Sequence, residues 1–295
     1  ADDLISTTLL ATPRPVVIAP AMNNGMWKAA ATQANMATLR DRGVHVVGPG
    51  SGYLACGDVD TGRMSEPEDI VEAICEVLNP VPQALAGKRI VITAGPTHEP
   101  IDPVRFIGNR SSGKMGIALA GEAARRGATV TLVLGPTSLD VPRGVECVRV
   151  QTAAEMLQAA LSAFQTADAA ICAAAVADYT PVAPADHKLK KANERLDRIE
   201  LVETVDILAE LSRQKGERRV IGFAAETDNV VEYAQRKLTH KGCDAIIAND
   251  VSRADSGFGT DTNKAWIVST TGTQELPVLT KPQLADTILD LLQNL

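Results

Sequence analysis

Arg89-Ile-Val-Ile-Thr-Ala-Gly95, then Gly113-Lys-Met-Gly-Ile-Ala-Leu-Ala-Gly-Glu-Ala-Ala-Arg-Arg-Gly127, then Thr129-Val-Thr-Leu-Val-Leu134 is the stretch that decides the fold. An apolar strand, a helix stopped by glycine and a second apolar strand make one βαβ unit. Ile90 to Ile92 and Leu132 to Leu134 are continuous apolar runs, as in strands covered on both faces. The alternation continues downstream. Strands are expected at Val145–Val150, Ala169–Ala174, Val220–Ala224, Ala245–Ala248 and Ala265–Val268. Helices are expected at Ala153–Phe164, Asp206–Gln214, Asn229–Lys241 and Lys281–Leu292. The fold class is α/β, with a Rossmann-like doubly wound, mostly parallel sheet. Such sheets bind ligands beyond the carboxyl ends of their strands, so the loops after strands carry the functional reading.

Upstream the pattern changes. Asn79-Pro-Val-Pro-Gln-Ala-Leu-Ala-Gly87 reads as a linker. Residues 1–78 hold a strand at Pro15–Pro20, a helix at Trp27–Arg42 stopped by Gly43, a strand at Val44–Val47 and a helix at Glu68–Leu78. That is short for a full α/β domain. Asp3–Leu10 reads as the end of an element already begun, and the first residue is not Met, so a fragment or processed product is expected. The division is 1–78, a linker 79–87, and 88–295.

Composition narrows the function classes. The chain has 295 residues, 45% of them hydrophobic and 22% charged, a globular balance with enough length for a sizeable core. The longest strictly apolar run, Ala169 to Ala177, falls far short of the ~20 residues that cross a bilayer. No basic segment opens the chain as in a signal peptide. A net charge of −7 and 3% aromatic residues exclude a general nucleic-acid binder. The cysteines (56, 75, 147, 172, 243) are odd in number and lack CxxC spacing, which fits a reducing cytoplasm rather than a disulfide framework or zinc site.

Gly108 to Lys114 follows the GxxxxGK spacing of a phosphate loop, but Met115 stands where a magnesium-binding Ser or Thr belongs. A standard P-loop nucleoside triphosphatase is therefore rejected. Ser111, Ser112 and Gly113 still precede a helix whose free N–H groups favour an anion; a plain serine cap reads the same residues. Gly95-Pro-Thr97 follows the first strand and is placed to offer backbone to a ligand. Ala173-Ala-Ala-Val-Ala-Asp178 lets a ring approach the backbone, with Asp178 as hydrogen-bond acceptor or as a cap. Lys188, Lys190 and Lys191 form either a solvated run or a loop that closes on phosphates. Lys237 and Lys241 share a helix face. Phe223 is core or a platform for a base.

In combination these motifs carry a resemblance. Ala94-Gly-Pro-Thr, Asp102-Pro-Val-Arg, Asn109-Arg-Ser-Ser-Gly-Lys-Met-Gly116, Ala173-Ala-Ala-Val-Ala-Asp178, Gly222-Phe-Ala-Ala-Glu-Thr227 and Ala248-Asn-Asp250 resemble the phosphopantothenate–cysteine ligase family over residues 87–295. Pro20-Ala-Met-Asn-Asn-Gly-Met-Trp27 and Ala55-Cys-Gly-Asp-Val-Asp-Thr-Gly-Arg-Met-Ser-Glu66 resemble the latter part of the phosphopantothenoylcysteine decarboxylase flavoproteins. The whole is similar to a bifunctional coenzyme A biosynthesis protein lacking its amino-terminal part.

The resemblance implies a CTP-dependent ligation through an acyl-cytidylate, with Mg²⁺ on the triphosphate. It implies that Gly95, Ser111, Ser112 and Gly113 form the nucleotide loop and that Cys172, Ala173, Ala174 and Asp178 meet cytosine and ribose. Val205, Asp206, Ile207, Leu208 and Phe223 join them. Lys188, Lys237 and Lys241 hold phosphates, and Asn109 positions the acyl group for cysteine. The family has Asn-Pro-Asp-Ile-Leu where this chain has Thr204-Val-Asp-Ile-Leu208, which loosens the expected loop contact. For the flavoprotein half it implies FMN, Cys56 as proton donor and Asn23 at the substrate carboxylate, with much of the flavin site upstream. Homo-oligomers are implied: a ligase dimer, and trimer contacts through the flavoprotein half. The rival expectations are a nucleotide-dependent oxidoreductase, which lacks GxGxxG after the first strand, and a non-catalytic assembly fragment.

Overall fold

The computed structural model describes residues 2–53, 59–78, 80–190, 197–253, 255–257 and 259–295. The chain divides into two compact units, Ala1–Pro82 and Gln83–Leu295.

In the first unit the order is α1 (Leu4–Ala11), β1 (Val17–Ile18), α2 (Asn24–Lys28), α3 (Ala30–Asp41), β2 (His45–Val46), β3 (Gly50–Tyr53), β4 (Val59–Arg63) and α4 (Pro67–Leu78). β1 and β2 pair in parallel, and β3 and β4 form an antiparallel pair. The expected Trp27–Arg42 helix is in fact two, because Ala29 adopts extended backbone between α2 and α3. Asp3 caps α1 through the Ser6 N–H. Asp60 ties the α2 segment to β4, accepting from Asn24 Nδ2 and pairing with Lys28, both at 2.6 Å. Met22 N–H donates to Gly62 O, and a Cβ on Gly62 would lie 2.3 Å from Met22 O, so only glycine fits there.

The second unit is built on an eight-stranded sheet. Its elements are β5 (Arg89–Ala94), β6 (His98–Pro100), β7 (Phe106–Gly108), α5 (Lys114–Arg125), β8 (Thr129–Leu134), β9 (Glu146–Arg149), α6 (Ala153–Phe164) and β10 (Ala169–Cys172). Then come β11 (Tyr179–Pro181), β12 (Leu201–Glu203), α7 (Ile207–Arg213), β13 (Arg219–Glu226), α8 (Val230–Lys241), β14 (Ala245–Asp250), β15 (Thr262–Ser269), β16 (Gly272–Thr280) and α9 (Lys281–Asn294). The sheet order is β16-β15-β14-β13-β10-β5-β8-β9. From β14 to β9 the pairings are parallel; β15 and β16 add an antiparallel edge. The expected mostly parallel, doubly wound sheet is what forms.

Helices cover both faces. Leu119, Ala120 and Ala123 of α5 and Leu284, Ile288 and Leu289 of α9 share one apolar cluster with Ile90, Ile92 and Leu132. Met156, Ala160 and Phe164 of α6, Leu211 of α7 and Ala234 of α8 share another with Val91, Val133 and Val220. Alternate residues of β5 thus face opposite layers. Thr152 with Glu155, and Thr280 with Gln283, form capping boxes that fix where α6 and α9 begin. β5 and β10 are the central neighbours from which the chain winds outward in opposite directions, so the topological switch lies between their carboxyl ends.

Candidate functional site

A cavity of about 640 Å³ opens at that switch, lined by the segment from Asn109 into α5, the loop after β10, the β12–α7 turn, β13, α8 and the loop after β14. Its floor is set by hydrogen bonds that continue past the sheet. Ala173 N–H donates to Thr93 O, and Ala175 N–H donates to Gly95 O. Thr97 Oγ1, wholly buried, accepts from Ala177 N–H at 2.9 Å. The Ala-rich stretch after β10 is therefore a fixed backbone surface rather than a free loop.

Gly113 starts α5 in the left-handed region, at φ 80°, with its backbone against Gly95. A Cβ on Gly116 would lie 2.3 Å from Ala94 Cβ, so glycine lets α5 sit directly on the end of β5. The first-turn N–H groups of α5 lie at the cavity wall, where no intrahelical acceptor precedes them. Ser111, Ser112, Gly113 and Met115 line it as well. Gly95 lies behind Gly113 and is not part of the lining.

Asn109 follows the β6–β7 hairpin and lines the cavity, and its Nδ2 donates to Val176 O at 2.8 Å. Cys172, Ala173, Ala174 and Asp178 line the same space, as do Val205, Asp206, Ile207, Leu208 and Phe223. The loop that lacks the family proline is held by other means: Thr204 N–H donates to Asp178 O at 2.9 Å and Thr204 Oγ1 to Ala177 O at 2.6 Å. Burial pushes the Cys172 thiol up to about 12, which makes it an apolar wall and not a nucleophile.

Lys237 and Lys241 both reach the cavity from α8. Lys237 Nζ donates to Phe223 O at 2.9 Å, and Lys241 pairs with Asp206 at 2.5 Å. Burial opposes the charge on Asp206, but bonds from Lys241 and the Ala209 N–H outweigh it and hold the carboxyl below its usual range. Lys188 is different. It is exposed and does not line the cavity, so in this structure it is not brought together with Lys237 and Lys241. The base of its loop is anchored next door: buried Asp102 accepts from Leu189 N–H, and Arg105 donates to Leu189 O. Lys191 lies outside the described residues.

Lys114, Asn249, Asn263 and Lys281 are among the cavity-lining residues that were not called from sequence. Lys114 and Asn249 sit inside quoted motifs, Gly-Lys-Met-Gly and Ala-Asn-Asp, so position after a strand was their signal. Lys281 sits in Thr280-Lys-Pro-Gln283, which reads only as a helix cap. Among the described residues no group of three or more His, Cys, Asp or Glu could hold a metal ion. No helix among them is long and apolar enough to cross a membrane.

In the first unit, Asn23 caps α2, its Oδ1 accepting from Gly25 N–H at 2.8 Å. Beside it, Asn24 Oδ1 is buried without a hydrogen-bond partner in the structure. Cys56 lies outside the described residues.

Residues 85–295 match the family described as the DNA/pantothenate metabolism flavoprotein C-terminal domain, and residues 1–79 match the family described as flavoprotein. The chain is 48% identical over 292 residues to the coenzyme A biosynthesis bifunctional protein CoaBC of Bacillus subtilis (strain 168), covering 98% of this chain and 72% of that protein. It is 48% identical over 293 residues to the protein of the same description from Escherichia coli (strain K12), again covering 98% and 72%. The solved C-terminal domain of a coenzyme A biosynthesis bifunctional protein CoaBC superposes with a TM-score of 0.61 at 46% identity. That match covers 72% of this chain and 97% of that domain.

Proposed function

The chain belongs to the family of bifunctional coenzyme A biosynthesis proteins, and from that premise we propose that its second unit joins phosphopantothenate to cysteine at the expense of CTP. The observation that carries the reading is the meeting, at one switch-point cavity, of a pinned Asn109, the Ala173–Asp178 surface and the lysine pair of α8.

A carboxylate acylates an amine only after it carries a good leaving group. The phosphopantothenate carboxylate oxygen attacks the α-phosphorus of CTP, and pyrophosphate leaves with the bonding electrons of the broken P–O bond. The acyl-cytidylate so formed is then attacked by the cysteine amine. CMP leaves, and the amine proton passes to solvent. Neutralising the triphosphate in a confined site dominates such catalysis. Lys237 and Lys241 serve that end: a polyphosphate replaces Phe223 O and Asp206 as their acceptor. Backbone at Cys172, Ala173 and Ala174 receives the base, Phe223 and Leu208 flank it, and Asp178 takes the ribose. The Val176 contact fixes the Asn109 amide so that it holds the acyl group in line with the amine. Mg²⁺ would come with the triphosphate and neutralise part of its charge. Lys188 reaches the phosphates only if its loop closes over the cavity from the anchor at Leu189.

For the first unit the reading is decarboxylation of phosphopantothenoylcysteine with FMN, an activity expected of the complete protein and not of this chain alone, in the cytoplasm of a cell that makes its own coenzyme A. The orphaned Asn24 Oδ1 fits a donor from the flavin or its substrate, next to Asn23. FMN would supply a two-electron acceptor for the substrate thiol and would return the same two electrons to the enethiol left by loss of CO₂, with Cys56 as the proton donor. Val104 and Phe106 are exposed beside the β6–β7 hairpin, which favours a homodimer of the second unit.

The test is to mix the chain with phosphopantothenate, cysteine, Mg²⁺ and either CTP or ATP, and to follow pyrophosphate and the cysteine conjugate. Conjugate with CTP is expected. A folded sample silent with both nucleotides would refute the reading.

A further inference from the structure

Resting on that reading, we propose that Lys281, together with Lys114, forms a second cationic pole of the cavity that receives a phosphate group of a phosphorylated substrate.

Lys281 is only 6% exposed, yet it lines the cavity. Its ammonium donates to Asn263 Oδ1 at 2.6 Å and to Gly257 O at 3.3 Å. Both acceptors are neutral, and no described residue accepts its third proton. A buried cation with no carboxylate bonded to it is costly. The position adds to the cost, because Lys281 opens α9 directly after its cap, where the helix dipole opposes positive charge. Lys114 opens α5 in the same way, with Nζ 2.6 Å from Asp261 and 3.0 Å from Gly259 O. Burial first, and then repulsion from Lys114, lower the Lys281 pKa to about 8, with Asp261 pulling the other way. Local stability would favour an apolar side chain at 281. A phosphate supplies what is missing: further negative charge for two lysines that share the single exposed carboxylate of Asp261, and an acceptor for the third proton, with first-turn amides of α5 as further donors.

The layering of the fold separates this pole from the other. α5 and α9 pack together on one face of the sheet, and α8 lies on the opposite face. Each face thus delivers a lysine pair to the same end of the sheet: Lys114 and Lys281 from one, Lys237 and Lys241 from the other. The proposed reaction has two phosphorylated substrates, a nucleoside triphosphate and an acid with a phosphate monoester. With the α8 pair on the triphosphate, the second pole suits the monoester.

Calorimetric titration of the whole chain tests this, using phosphopantothenate, pantothenate and CTP with wild type, Lys281→Met and Lys281→Arg. Loss of a charged hydrogen bond should weaken one phosphorylated ligand about 10- to 100-fold in Lys281→Met. Lys281→Arg, which keeps the charge, should recover most of it. Weakening of phosphopantothenate with pantothenate unchanged assigns the monoester; weakening of CTP alone assigns the triphosphate. Wild-type affinity for both in folded Lys281→Met overturns the proposal. If that variant does not fold, Lys114→Met decides by the same criterion. If wild type binds neither phosphopantothenate nor CTP, the ligase reading fails, and inorganic pyrophosphate becomes the probe. Weaker binding by Lys281→Met than by wild type then keeps the site; equal binding, or none to wild type, removes it.

Discussion

The two units use the same kinds of element and bury very different amounts of them. In Gln83–Leu295 the strands β5, β8, β10, β13 and β14 are covered on both faces, and residues such as Ile92, Leu132, Ile171 and Ile247 have no exposed surface. In Ala1–Pro82 the one buried hydrophobic residue among those described is Met36. Leu4, Ile5 and Leu10 of α1 and Val71, Ile74 and Leu78 of α4 are all exposed. α4 has apolar residues at helical spacing and acidic residues in its first turn, so its sequence is that of an amphipathic helix. Amphipathic pattern and actual burial are separate properties. The first unit has the pattern, held by caps and by the Asp60 tie; the second has the core as well.

That contrast places the chemistry. A cavity whose walls are fixed by a covered sheet can preorganise reacting groups. The largest expected effect follows from it. Asn109→Asp should lower conjugate formation by ~10²- to 10³-fold, the loss seen when one positioned donor is removed from an acyl-transfer site, while the acyl-cytidylate accumulates. Mass spectrometry of quenched reactions checks this, and full-rate product would sever Asn109 from the chemistry. Asn23→Asp, made in the first unit, should leave ligation as it is.

The next effect sharpens the contrast in stability. Ile171→Ala empties a fully buried site and should cost about 2–5 kcal/mol in denaturant unfolding followed by circular dichroism. Met36→Ala should move the main transition less. Equal shifts would mean that the first unit contributes a core to the same cooperative transition.

A smaller effect is expected at Lys281, whose pKa is about 8 in the folded chain against an ordinary 10.5. Between those values the unfolded chain binds the proton that the folded chain has released, so this group's contribution to stability rises as pH climbs from 8 to 10.5. Below pH 8 both states hold the proton and the contribution is flat. The melting temperature of wild type relative to Lys281→Met should rise through that window. A difference independent of pH would remove the depressed pKa. The smallest effect is none at all: Cys56→Ser should leave ligation at the wild-type rate, and a loss would mean that the units are coupled in catalysis.

Most of the sheet was legible because its strands are apolar runs between glycine-stopped helices, and Ala153–Phe164 forms at the bounds its periodicity indicates. β16 was not legible. It is an edge strand with Leu276 as its buried residue and with Pro277 in its course, so it carries neither continuous nor alternating apolar signal. The single helix expected over Trp27–Arg42 fails at Ala29, a good helix former whose extended backbone no propensity marks. At the site, residues on loops after strands, and Phe223 within β13, were readable from topology and motif: Asn109, Asp178, Phe223 and the Ser111–Gly113 turn all line the cavity. Lys281 was not, because it reaches the cavity from a helix remote in sequence, where Asn263 of β15 and Gly257 of the loop before it accept from its ammonium. Lys188 shows the converse: the lysine run reads either as solvated surface or as a phosphate loop, the family resemblance implies the phosphate, and the structure leaves the residue exposed.

The central claim is that ligation resides in Gln83–Leu295. The most direct measurement compares that segment, expressed alone, with the whole chain in the CTP-dependent formation of the cysteine conjugate. The expected result is the same turnover per active site for both. Turnover by the whole chain together with silence from a folded 83–295 segment would contradict the claim.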